Sequence, residues 1–144
     1  MSYKFYRNKE DKVSPINKDY SWIKDQYHMY DLLDKNCWKV ETCAPRLREI
    51  WSETNKTCGQ CSITAFLVQD IFGGDVYGVD TKCGVHCFNV INDVVFDLTS
   101  EQFSGEDTIK VYPLDKPQSR ENHFSSEEKY NRYKLLKDLL NKTK

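Results

Sequence analysis

The segment Cys58–Gly74, "CGQCSITAFLVQDIFGG", carries the densest structural signal in the 144-residue chain. Ile63, Ala65, Phe66, Leu67, Val68, Ile71 and Phe72 leave a helix over this stretch with little polar face. A helix apolar on nearly all sides is a central, buried one. It is expected to begin near Cys61 and to stop at Gly73-Gly74, a pair suited to the left-handed C-terminal cap. Two cysteines, Cys58 and Cys61, stand at its front. They are either a reactive or metal-binding feature, or packing.

Composition narrows the choice. The length fits one domain with one core. Hydrophobic residues at 39% and charged residues at 30% are those of an ordinary globular protein. The 21 basic and 22 acidic side chains nearly cancel, so no basic face for nucleic acid is expected. The longest apolar run, Ile63 to Val68, is too short to span a bilayer, and "MSYKFYRNKEDKV" lacks a secretory core segment. A cytoplasmic location and no membrane partner follow as expectations. In a reducing compartment the six cysteines (Cys37, Cys43, Cys58, Cys61, Cys83, Cys87) read as catalytic, metal-binding or buried rather than disulfide-bonded.

Outward from the central helix, residues 1–20 are polar and aperiodic, an extended or loosely docked arm. Trp22, Ile23, Tyr27, Tyr30 and Leu33 predict a helix from Ser21 to Asn36. "APRLREIWSE", with Pro45 in its first turn and Leu47, Ile50 and Trp51 on one side, predicts another that ends before Asn55. After the glycine pair, "DVYGV", "GVHCFNVI", "VVFDLT" and "TIKVYPL" read as strands. Ser125 and Glu128 form a capping box for a last helix faced by Tyr130, Tyr133, Leu136 and Leu140. The expected organisation is an N-terminal arm and helix over 1–43 and an α+β unit over 44–144, together one compact domain.

The turn between two of these strands decides which side chains meet. With Asn92-Asp93 as a two-residue hairpin turn, Ile91 pairs with Val94, Phe88 faces Asp97 and His86 faces Thr99. Alternation puts His86, Phe88 and Val90 on one face with Val95, Asp97 and Thr99. His86 and Asp97 are then diagonal neighbours, about 7–8 Å apart along the backbone and closer at their side chains. Asn89 and Cys87 point the other way. Cys61, in the first helical turn, feels the positive end of the helix dipole, which favours the thiolate and can bring a thiol pKa into the range of roughly 3.5–7.5. Unsatisfied N–H groups there can also receive an oxyanion. Cys61 as nucleophile, His86 as base and then acid, and Asp97 as the group orienting His86 satisfy a thiol acyl-transfer scheme. Gln60 is a candidate oxyanion donor and Trp51 a candidate lining residue. His28 and His123 read as surface residues.

A cysteine on a central helix, a histidine on the next strand and an aspartate on the strand after it resemble the papain-like and transglutaminase-like superfamily. More closely, "IWSETN", "GQCSITAFLVQDIFGG", "HCFNVINDVVFDLTSEQF" and "RYKLLKDLL" resemble the small bacterial YunG-like family, over Leu47 to Leu140. The resemblance implies an α+β fold of the papain-like/transglutaminase-like cysteine-proteinase type, its central helix packed on a small antiparallel sheet. It also implies a site at Cys61, His86 and Asp97, and little about substrate. The Cys-His-Asp set itself leads to the expectation of a thiol-dependent hydrolase or transferase, with peptidase, amidase, deamidase and transglutaminase all open, a peptide or amide-containing small molecule as substrate and no cofactor. Three alternatives compete. A zinc site could use Cys58, Cys61, Cys83 and Cys87, with His86 also in range, although strand alternation splits His86 from Cys87. A thioredoxin-like redox pair could use Cys58 and Cys61, although no strand precedes them. A catalytically inactive binding protein could use the same scaffold.

Overall fold

The structure is a computed structural model that describes residues 5–6 and 12–144. Its α-helices are α1 (Gln26–Asn36), α2 (Cys61–Phe72), α3 (Arg120–Phe124) and α4 (Glu127–Asn141), and its strands are β1 (Asp75–Thr81), β2 (Gly84–Ile91) and β3 (Val94–Phe96). The chain is α+β, and its described residues form one three-stranded antiparallel sheet in the order β1-β2-β3. None of the described helices is long and apolar enough to cross a membrane.

α2 is central because its composition leaves no face for water. Ile63, Phe66, Leu67 and Ile71 are fully buried, and even Thr64 is covered, its hydroxyl accepting the Trp38 indole N–H at 3.0 Å. The helix packs on β2 on one side and on α4 on the other. Gly73 and Gly74 end it with φ of 82° and 76°. A side chain at Gly74 would place its Cβ 2.2 Å from the Val90 carbonyl oxygen, so only glycine lets the chain turn directly into β1. Since β1 returns against α2 and β2 returns against β1, the central strand runs along the helix.

The hairpin between β2 and β3 has the expected register, Ile91 opposite Val94 and Asn89 opposite Phe96. Its turn is Asn92-Asp93, at φ of 53° and 64°, the left-handed conformations that a two-residue hairpin turn demands. The ladder ends at Phe96, three residues short of the Thr99 that the sequence pattern suggests. Asp97 forms a bridge with Tyr6 instead, bringing the N-terminal segment to the edge of the sheet.

Several expectations are corrected. Residues 44–53 make only a 3-10 turn, Pro45–Leu47, followed by irregular turns. Ile50 is 65% exposed, so the apolar stripe has no surface to cover. A short helix without packing is marginal in water. Arg48 instead turns back to donate to the carbonyls of Cys43 and Glu41. The segment "TIKVYPL" is not a strand; the outer edge of β1 bonds instead to the residues after it, Gly78 N–H donating to the Lys116 carbonyl and Gln118 N–H to the Val76 carbonyl. α1 starts at Gln26 rather than Ser21, because Asp25 supplies the cap, accepting from His28 N–H. In the last helix the cap is Ser126, accepting from Lys129 N–H, while the Ser125 hydroxyl donates to the Asn122 carbonyl of the short α3. Tyr133, Leu136 and Leu140 of α4 are buried as expected, and Tyr130 is largely exposed.

The N-terminal arm is docked wherever it is described, not loose; residues 1–4 and 7–11 lie outside the described residues. Phe5 is buried against Tyr27 and Tyr30. Ile16 and Asn17 donate their backbone N–H groups to the Ile71 carbonyl, and the Asn17 amide donates to the Asp70 carbonyl, satisfying the C-terminal end of α2. One hydrophobic cluster runs from Phe5 and Val13 through α1 and α2 to Leu140.

Side-chain truncations separate the buried helix from the exposed turn. Leu67→Ala should cost about 2–5 kcal/mol of stability in urea denaturation. Ile50→Ala should stay within about 0.5 kcal/mol. A cost above about 1 kcal/mol at Ile50 would mean that residues 44–53 dock as a helix after all.

Candidate active site

Cys61 is the first residue of α2, and the preceding Gln60 offers no side-chain cap. The first intrahelical bond, Thr64 N–H to the Gln60 carbonyl, leaves the amides of Cys61, Ser62 and Ile63 without acceptors inside the helix. The dipole and these three donors therefore concentrate positive potential beside the thiol.

His86 stands on the central strand and is 2% exposed; Asp97, just past β3, is 1% exposed. The imidazole Nε2 donates to Asp97 Oδ2 at 2.7 Å. The carboxylate is fixed from other directions as well. Tyr112 donates its hydroxyl to Oδ2 at 2.7 Å, while the Thr99 backbone N–H and hydroxyl donate to Oδ1 at 3.2 and 3.3 Å. Phe103 closes against the ring edge-on, with centroids 4.9 Å apart. The ring's second nitrogen, Nδ1, is buried and has no aligned hydrogen-bond partner among the described residues. Its neighbour is the Cys61 thiol, whose charge acts on the ring.

This arrangement shifts both groups toward an ion pair. Hydrogen bonding from the Cys87 thiol, working against burial, together with the charge of His86, holds the Cys61 thiol well below the usual thiol range. Burial pulls the His86 imidazolium down, but Asp97 and Cys61 outweigh it and push its pKa up to about 10. Cys61 and His86 line a cleft of about 40 Å³ together with Arg46, Gly59 and Ser62. The cleft adjoins a groove of about 440 Å³ between the turn at Leu47–Ile50 and the loop from Gln102 to Val111. Leu47, Thr81, Cys83, Gln102 and Phe103 line both.

Cys61, His86 and Asp97 are thus brought together, whereas Gln60 and Trp51 are not brought to the cleft. Gln60 is fully buried, and its amide N–H donates to the Lys39 carbonyl at 3.0 Å. Trp51 is half-buried, and its indole N–H donates to the Lys56 carbonyl in its own loop. The other thiols separate as well. Cys58 lies against Cys43 rather than Cys61, and burial raises the pKa of both, that of Cys43 to about 11. Among the described residues, no three His, Cys, Asp or Glu side chains stand close enough together to hold a metal ion.

Three neighbours of the site carry no sequence signal. Tyr112 sits in the loop expected to be a strand, and nothing in its spacing from Asp97 announces their bond. Cys87, on the opposite face of β2 from His86, reaches Cys61 because that face carries α2. His123 is half-buried rather than at the surface: Lys129 donates to its Nδ1 at 2.9 Å and its Nε2 donates to Gln118 Oε1 at 2.8 Å, 3.9 Å from the Cys87 sulfur. His28 keeps a peripheral role, accepting from Lys24 N–H.

Comparison with known proteins agrees with the motifs that surround the site. Residues 21–144 match the protein family described as "YunG protein", a match that takes in α1 as well as the sheet and α2. The "Uncharacterized protein YunG" of Bacillus subtilis (strain 168) is 42% identical over 82 residues, covering 56% of this chain and 68% of that protein. No solved structure matches the chain. With a family match over more than half of its length, carrying Cys61, His86 and Asp97 within it, the chain belongs to the YunG family.

Proposed function

We propose that this protein is a cysteine-dependent acyl-transfer or amide-hydrolysing enzyme in which Cys61, His86 and Asp97 work as a papain-like or transglutaminase-like triad. One observation carries the reading. A buried imidazole is held by a buried carboxylate through Nε2, and its remaining nitrogen is left for a thiol at a helix N-terminus.

The chemistry follows from this geometry. The Cys61 thiolate attacks the carbonyl carbon of an amide or thioester, and the carbonyl electron pair moves onto oxygen. The amides at the start of α2 receive the oxyanion. His86 gives its Nδ1 proton to the departing amine or thiol as the carbonyl re-forms, leaving an acyl group on Cys61. It then takes a proton from the water or amine that releases this acyl group. Asp97 stabilises the imidazolium and holds the ring's orientation without taking the proton. Tyr112 and Thr99 keep the carboxylate in place. The groove beside the cleft has room for several residues of a peptide or for a comparable amide-containing molecule.

Two experiments test the reading. The first is limited iodoacetamide labelling read by mass spectrometry. At pH 6 it should modify Cys61 ahead of the buried Cys58 and the exposed Cys83. As pH rises, the Cys61 rate should increase through a value well below 9.0 and level off until the imidazolium titrates near 10. His86→Ala should slow the pH 6 reaction about tenfold or more, since each pKa unit below the thiol pKa is a factor of ten in thiolate. Labelling of Cys58 or Cys83 at an equal rate, indifferent to His86→Ala, would reduce the triad to a packing feature.

The second is acylation by p-nitrophenyl acetate, which should leave an acetyl group on Cys61. Asp97→Asn should slow release of that group about 100-fold or more while changing iodoacetamide labelling far less. An unchanged release rate would remove Asp97 from the mechanism.

A further inference from the structure

Two of the six cysteines meet across the helix–sheet interface, and acyl transfer uses only one of them. Asn89 of β2 donates its side-chain amide to the Ala65 carbonyl of α2 at 2.8 Å. That bond sets the register of helix on strand. From Ala65 back to Cys61 is four helical residues, about 6 Å. From Asn89 back to Cys87 is two strand residues on the same face, about 7 Å. Because α2 and β2 run alongside each other, the step that begins at the Asn89–Ala65 bond ends with Cys87 beside Cys61. Each thiol acts on the other there, the Cys61 thiol being held below its usual range and that of Cys87 above it.

The partners differ in the way that matters for oxidation. Cys61 is partly exposed at the cleft, while Cys87 is 1% exposed, on the face of β2 that α2 covers and with His123 Nε2 3.9 Å from its sulfur. His123 does not act as a base for Cys87. Its Nδ1 accepts from Lys129 and its Nε2–H is spent on Gln118. Cys87 therefore stays protonated beside the Cys61 sulfur. The Cys43–Cys58 pair is the internal comparison, since both its thiols are buried and neither begins a helix or faces a histidine.

We infer that Cys61 is a site of oxidation by hydroperoxides and that Cys87 is its resolving thiol, closing a Cys61–Cys87 disulfide. The Cys61 thiolate attacks one peroxide oxygen, the O–O bond breaks, and the products are a sulfenic acid on Cys61 and hydroxide, which leaves as water on taking a proton. The Cys87 sulfur then attacks the Cys61 sulfur. The S–O bond breaks and water departs with the Cys87 proton. Sulfur loses two electrons in total and the peroxide gains them. The disulfide removes the nucleophile reversibly and spares it the irreversible sulfinic stage. The inference rests on the reading of Cys61 as a thiolate, but not on any acyl substrate.

The test uses the 144-residue Cys83→Ser chain, which removes the exposed thiol and the intermolecular bonds it would form. With equimolar hydrogen peroxide at pH 7, non-reducing peptide mapping should give a Cys61–Cys87 cross-link, loss of both thiols together, and recovery with dithiothreitol. Adding Cys87→Ser should abolish the cross-link, leave a Cys61 sulfenic acid trappable by dimedone, and let excess peroxide carry Cys61 on to the sulfinic acid. Cys87→Ala serves equally if the serine is not tolerated in the core. Sulfinic acid on Cys61 in equal yield with and without Cys87 would overturn the inference, as would a Cys43–Cys58 bond forming first. Iodoacetamide labelling of the same samples separates the two failures. Cys61 reactive at pH 6 but never linked to Cys87 defeats the resolving role alone. Cys61 inert to both reagents defeats the thiolate on which both readings stand.

Discussion

The hydrogen bond between His86 and Asp97 is the constraint around which the site is organised. Both groups are removed from water, and a buried charge is tolerated only when it is paired and hydrogen-bonded. Asp97 meets that condition with the imidazole, the Tyr112 hydroxyl and two donors from Thr99. Each partner comes from a different place: the central strand, the distal loop and the turn after β3. Tyr6 adds a backbone bridge to the same residue, so even the N-terminal segment closes over this carboxylate. A residue satisfied from so many directions cannot shift without loosening all of them, and the imidazole it holds is correspondingly fixed.

The other half of the site is fixed by α2. Its N-terminal end is placed by packing on β2 and α4 and by the Asn89–Ala65 bond. Its C-terminal carbonyls are taken up by Ile16 and Asn17. The Gly73-Gly74 reversal lets β1 follow without a connecting loop, which sets helix and sheet at one separation. Cys61 and His86 therefore meet as a consequence of how the core closes. The helix begins at Cys61 without a side-chain cap, which leaves its first amides open where a negative charge would form.

Some of this is legible in the sequence because it is local. The Asn92-Asp93 turn needs only residues that accept positive φ, and once it is fixed, strand alternation alone carries His86 to Asp97. α2 is equally plain, since its apolar residues and terminal glycines speak for themselves. The errors fall where the outcome depends on distant partners. Leu47, Ile50 and Trp51 have helical spacing, but no core surface faces them, and Arg48 finds carbonyls nearer to hand. Tyr112 and His123 act through neighbours 15 and 36 residues away, at Asp97 and Cys87, and no periodicity encodes such distances. Strand alternation puts Cys87 on the face opposite His86, and that is the face α2 covers. Packing, not alternation, brings it to Cys61.

The central claim is that Cys61 and His86 form an ion pair held by Asp97, and the protonation state of the His86 ring tests it most directly. In ¹⁵N-labelled protein at pH 8, both ring nitrogens of His86 should show imidazolium shifts, with the proton lost only near pH 10. In Asp97→Asn the same ring should titrate at lower pH, because the carboxylate that raises it is gone. A neutral ring at pH 8, or a wild-type midpoint near 6.5, would contradict the account.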